Sequence, residues 1–210
     1  GTPTAQHGPT RSQAMRQPTF VLVGVFQVLM MAVTVAVAAH QINLLQESGL
    51  PLAWAVALPA TLGLVQVAGR ALLFFFEHRF SVHTVNRVIP LFMPLGLAAL
   101  LLSLTVCHGN VWVAGLFVAL YGLGNGMVTI VKGTAVAQYV NQTHAASLNG
   151  ALGLPIALGR AAAPWLLGVL WTPAAGYLPG LWGLLAGSLV AVGALVWTQH
   201  ISQAKNASSA

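Results

Sequence analysis

The chain is predicted to be an all-α integral membrane protein in which six transmembrane helices form two inverted three-helix repeats. Three observations predict it. Six long apolar runs fill the 210 residues. Charged residues make up 5% of the chain and hydrophobic ones 57%, whereas a soluble domain averages roughly 25% charged, so water is not the solvent for most of this surface. Finally, polar side chains recur at helical spacing in runs one, two, four and five and almost vanish from runs three and six. A polar group in hydrocarbon is costly without a partner. The order is therefore in-in-out, in-in-out: two helices facing a watery cavity and one facing lipid, twice.

A membrane helix needs ~20 mainly apolar residues, which places spans at 20–39, 52–76, 88–106, 111–131, 147–171 and 178–198. The chain then divides into a polar linker (1–19), a six-span domain (20–199) and a polar tail (200–210). The linker lacks the apolar core of a signal peptide. It reads as a flexible cytoplasmic segment from the middle of a longer chain. The connectors HQINLLQESGLP, CHGN and TPAAGY, after spans one, three and five, contain no Lys or Arg. Arg11, Arg16, Arg79, Arg87, Lys132 (at the end of span four) and Lys205 all fall on the opposite side. Basic residues collect in the cytoplasm, so both termini are expected there, in an inner or plasma membrane. This asymmetry, rather than a nucleic-acid partner, accounts for the net charge of +6. Trp54, Trp112, Trp171 and Trp197 fall near span boundaries, as in an interfacial aromatic belt. The N-x-S/T matches at Asn141 and Asn206 would be cytoplasmic and are read as chance. The lone Cys107 cannot form an internal disulfide.

Residues three, four or seven apart share a helix face. Gln27, Thr34 and Gln41 align on span one, and Gln66 and Arg70 on span two. Tyr121, Asn125, Thr129 and Lys132 occupy successive turns of span four. Span five carries Asn149 and Arg160, nearly aligned, with Gly153 and Pro164 on the same stripe. Ser103, Thr105 and Ser188, on spans three and six, can bond back to their own helices. Such polar groups can simply hold a bundle together, at roughly 0.6 kcal/mol per contact. Arg160 stands apart. A charge at mid-membrane costs about 2.5–3.5 kcal/mol or more, and the two acids, Glu47 and Glu77, both fall between runs. Its partner is either outside this chain or an anionic substrate. Arg70 and Lys132 lie nearer the cytoplasmic surface, where they can snorkel or mark topology; Lys132 also aligns with Asn125. In YGLGNG, Gly122 and Gly126 have a small-xxx-small spacing that suits close helix packing. Pro59, Pro90, Pro94, Pro155 and Pro164 can bend their helices.

Two stretches carry a family resemblance. QVAGRALLFFFEHRF, at the end of span two, resembles the GR…DR segment of monocarboxylate-transporter-like members of the major facilitator superfamily (MFS). YGLGNGMVTIVKGTAVAQYV and LNGALGLPIALGRAAAPWLLGVLW resemble spans ten and eleven of uncharacterised bacterial members. The likeness covers nearly all of 19–200 and matches a C-terminal six-helix half. It implies a twelve-helix fold completed by an N-terminal six-helix half outside this chain, with a central site lined by Gln27 and Asn125. Gly69, Arg70 and Arg79 match the cytoplasmic motif. His78, with Glu77 before it, replaces the family's Asp ahead of Arg79, which implies an altered conformational latch.

The resulting expectation is a half of a secondary active transporter, moving a small anionic organic solute by alternating access. Arg160, Asn125, Gln27 and Lys132 are the candidate substrate-binding residues. Charge-assisted pairing to Arg is strong and directional, which favours a carboxylate. The alternative is a self-contained six-span carrier or channel that homodimerises. An enzyme is not expected: no nucleophile–base–acid set falls within the spans. His40, His78, His83, His108 and His144 are read at or beyond span ends, so no haem or other cofactor is expected.

Overall fold

The computed structural model describes residues 10–208. Those residues form nine α-helices, with two single 3₁₀ turns: α1 (Arg11–Met15), α2 (Pro18–Glu47), α3 (Leu52–Ala60), α4 (Leu62–Phe76), α5 (Val82–Val88), α6 (Phe92–Thr105), α7 (Val111–Tyr139), α8 (Ala145–Val169) and α9 (Leu178–Ser208). The turns are Glu77–Arg79 and Ile89–Leu91. Joined across the short breaks, they give six helices long and apolar enough to cross a membrane, so the multi-pass architecture follows directly from composition and length.

Helix ends differ from those the hydropathy predicts. α2 continues through HQINLLQE to Glu47, so most of the expected first connector is helical and His40 lies inside the helix. α7 runs to Tyr139, placing Lys132 about 10 Å before the helix end rather than at it. α9 absorbs the expected tail as far as Ser208. The linker also departs from open chain. Its residues 1–9 lie outside the described residues, but α1 is closed by a reciprocal capping box between Thr10 and Gln13, and Ala14 is buried.

The second and third spans are each interrupted. Pro59 removes an amide donor near the end of α3, and the chain restarts as α4 after Thr61, whose hydroxyl donates to Leu58 O. Ser81 caps α5 by accepting from Thr84 N, and Pro90 sits in the 3₁₀ turn that leads into α6.

Packing follows an exchanged pattern. α2 packs mainly on α8 and α9, whereas α7 packs mainly on α4 and α6, and α6 also touches α9. The core between them is apolar, built on Phe26, Met30, Leu97, Phe117, Leu148 and Leu181. Burial within the chain differs from span to span. In the most apolar window of span three 61% is buried, against 17% for span two and 22% for span five. Span three is covered within the chain because α6 lies between α7 and α9, whereas span six, at 39%, and the polar-striped spans two and five are more open.

Glycine sets the α4–α7 spacing. Gly122 faces Val65, Gly126 meets the backbone of Gln66, and a Cβ on Gly69 would lie 2.8 Å from Leu123 O. The small-xxx-small pair is thus a packing surface within the bundle, with Gly69 as its counterpart.

The two ends of the bundle are closed differently. At the end with the Arg-free connectors, Gly109 N donates to Ser48 O at 2.7 Å, while Glu47 accepts from Trp171 Nε1 (2.6 Å) and Tyr177 N (3.0 Å). At the basic end, Tyr139 Oη accepts from Asn86 Nδ2 (2.9 Å) and Gln199 Nε2 (3.2 Å), joining α5, α7 and α9.

Candidate functional site

Three helices frame a groove of about 380 Å³ lined by Gln27, Lys132, Gly133, Asn149, Gly153, Ile156, Ala157 and Arg160. α2 supplies Gln27, α7 supplies Lys132 and Gly133, and α8 supplies the rest. The α8 residues fall at offsets of four, seven, eight and eleven from Asn149, so the stripe expected from helical spacing is the groove wall. Pro164, on the same stripe, is not part of it: its carbonyl accepts from His40 Nε2 at 3.0 Å.

At 1.5 Å per residue, Asn149 lies about 6 Å, Lys132 about 10 Å, Gln27 about 14 Å and Arg160 about 22 Å from the basic ends of their helices. The polar groups therefore form a ladder that climbs from the basic end to mid-depth. The groove is open beside Gly133 and Gly153, where a Cβ would meet nothing within 4 Å.

The electrostatics are one-sided. Neither Lys132 Nζ nor the Arg160 guanidinium has a hydrogen-bond or ion-pair partner among the described residues, and neither acid lines the groove. Glu47 is engaged by Trp171 and Tyr177, and Glu77 lines separate clefts beside α4 and α5. Arg160 is exposed along the groove. Gln27 is the most enclosed member, at 1% exposure. Its Nε2 donates to Lys132 O at 2.9 Å, and its Oε1 is buried without a partner.

The fold thus brings together three of the four residues expected to bind substrate: Gln27, Lys132 and Arg160. Asn125 is half-buried on α7, two turns from Lys132, and does not line the groove. Asn149 does, and its alignment with Arg160 in the sequence was the signal that pointed to it. Other members of the stripes are consumed inside the bundle. Tyr121 Oη donates to Thr34 O at 2.9 Å, and Thr34 Oγ1 to Met30 O at 2.8 Å.

The residues of the cytoplasmic motif separate. Gly69 is a packing glycine, Arg70 Nε reaches Gly126 O on α7 at 3.4 Å, and Arg79 is exposed on its 3₁₀ turn. No protein-family model matches the chain, and neither does any curated protein sequence.

Proposed function

We propose that the chain is one half of a secondary active transporter of the major facilitator superfamily, moving a small anionic organic solute through the groove by alternating access. The observation that carries this reading is the groove itself: two unpaired cations and two amides from three helices, at membrane depth, without an acid. A carboxylate entering it gains charge-assisted hydrogen bonds to a guanidinium that none of the described residues satisfies. The exchanged packing, in which the first helix of each three-helix unit rests on the second and third of the other, supports an inverted repeat. Such repeats lend themselves to rocking around a midplane site.

Within this proposal both termini are cytoplasmic in an inner or plasma membrane, following the basic residues. An N-terminal six-helix half covers the open faces of α4 and α8. The test is uptake of labelled organic acids into proteoliposomes. Arg160→Ala should cut uptake at least tenfold while leaving the amount of inserted protein unchanged. Unaltered uptake would remove Arg160 from the pathway.

The same open faces favour a second reading, in which another copy of this chain supplies the cover. Cysteines placed on α4 and α8 that cross-linked into a transport-competent homodimer would support it over a distinct partner half.

A further inference from the structure

The two cations account for an anion but not for Gln27, whose hydrogen bonding is half used. Its amide orientation is fixed, because Lys132 O can only accept and so must face Nε2. That leaves Oε1, an acceptor, buried with nothing to accept from, on a side chain that lines the groove. A buried acceptor left empty carries a desolvation cost, and a ligand that fills it recovers that cost. An anionic group cannot do so, since a carboxylate is itself acceptor-only. It would meet Oε1 as one lone pair meets another.

We infer that the solute bears a hydrogen-bond donor beside its anionic group, as in a hydroxy- or amino-substituted carboxylate, and that Gln27 Oε1 reads this donor. The heights along the groove suit the division of labour. Gln27 stands between Lys132 and Arg160, so an anion held by either cation brings a neighbouring hydroxyl or amine alongside it. Sites built to hydrogen-bond a hydroxyl discriminate against analogues that lack it more strongly than apolar pockets discriminate by size, because the polar group is otherwise stranded. This inference rests on the anion-binding reading above and adds to it a requirement that charge alone does not impose.

The experiment measures binding of matched acid pairs to the purified chain in nanodiscs. The pairs are propanoate with 2-hydroxypropanoate, butanedioate with 2-hydroxybutanedioate, and benzoate with 2-hydroxybenzoate. The expected result is that at least one hydroxylated acid binds on the order of tenfold tighter than its plain partner. Gln27→Met should erase that preference, so that the two acids of each pair bind alike, with a cooperative melting transition in nanodiscs reporting that the variant is folded. Plain and hydroxylated acids binding equally to the unaltered protein would overturn the inference and leave the anionic reading standing. A preference that survives Gln27→Met would overturn it too. If no acid of either kind binds, the anionic reading falls and this inference falls with it. The comparison on the unaltered chain needs no variant, so a Gln27→Met protein that failed to fold would still leave the first criterion decisive.

Discussion

Glu47 Oε1 accepts the indole N–H of Trp171 at 2.6 Å, across 124 residues of sequence. With its second oxygen on Tyr177 N, this carboxylate ties the end of α2 to the connector between α8 and α9. His40, seven residues earlier on the same helix, reinforces the tie. Its Nε2–H donates to Pro164 O, which leaves Nδ1 to accept from Tyr177 Oη at 3.0 Å. Glu47→Ala would strand both donors, and an unmade hydrogen bond of this kind costs about 1–3 kcal/mol where the group stays out of water. Thermal unfolding in detergent should begin at a lower temperature, and Trp171 emission should shift. An unchanged melting curve would mean that the connector is held by other contacts.

At the opposite end the equivalent hub is Tyr139. Tyr139→Phe keeps the ring and removes the oxygen, leaving the buried amides of Asn86 and Gln199 without that acceptor. Gln199 keeps a bond to His83 O at 3.3 Å and accepts from Arg87, so Asn86 bears most of the loss. A destabilisation of about 1–3 kcal/mol is expected. Amide exchange should quicken in α5 before it quickens in α2, and a uniform change over all helices would count against a localised hub.

Glycines in the same helices should respond in opposite ways. A side chain at Gly69 or Gly126 meets backbone on the facing helix, so Gly69→Leu and Gly126→Leu should force α4 away from α7 and reduce the yield of folded protein. Gly133→Leu and Gly153→Leu meet nothing locally. They should fold normally yet narrow the groove, lowering solute binding or uptake several-fold. Equal yields for the two classes would remove the packing role, and undiminished uptake in Gly133→Leu and Gly153→Leu would place the pathway elsewhere.

Much of this molecule is legible in its sequence, for reasons of solvent. Hydrocarbon allows only self-satisfied backbone across its thickness, so six apolar runs dictate six helices. It says little about where helices stop, since the polar stretches HQINLLQE and GTAVAQY continue as helix beyond the apolar limit. That is why Lys132 was expected at a helix end. The stripes were harder still. Spacing shows which side chains share a face, not what the face meets: Arg160 and Asn149 line a groove, Tyr121 and Thr34 bond each other across the bundle, and Asn125 does neither. The Asn86–Tyr139–Gln199 hub had no legible signal, because its members lie on three helices at positions with no shared periodicity.

α8 leans almost wholly on α2 and touches α7 and α9 only lightly. Its principal support within the bundle is therefore a single helix. In the proposed transporter, a pull on Arg160 by a bound solute would reach the rest of the bundle mainly through the first span, along which Gln27 lines the groove and His40 and Glu47 lie at the far closure. Groove and distant closure are thereby strung on a single rod, α2.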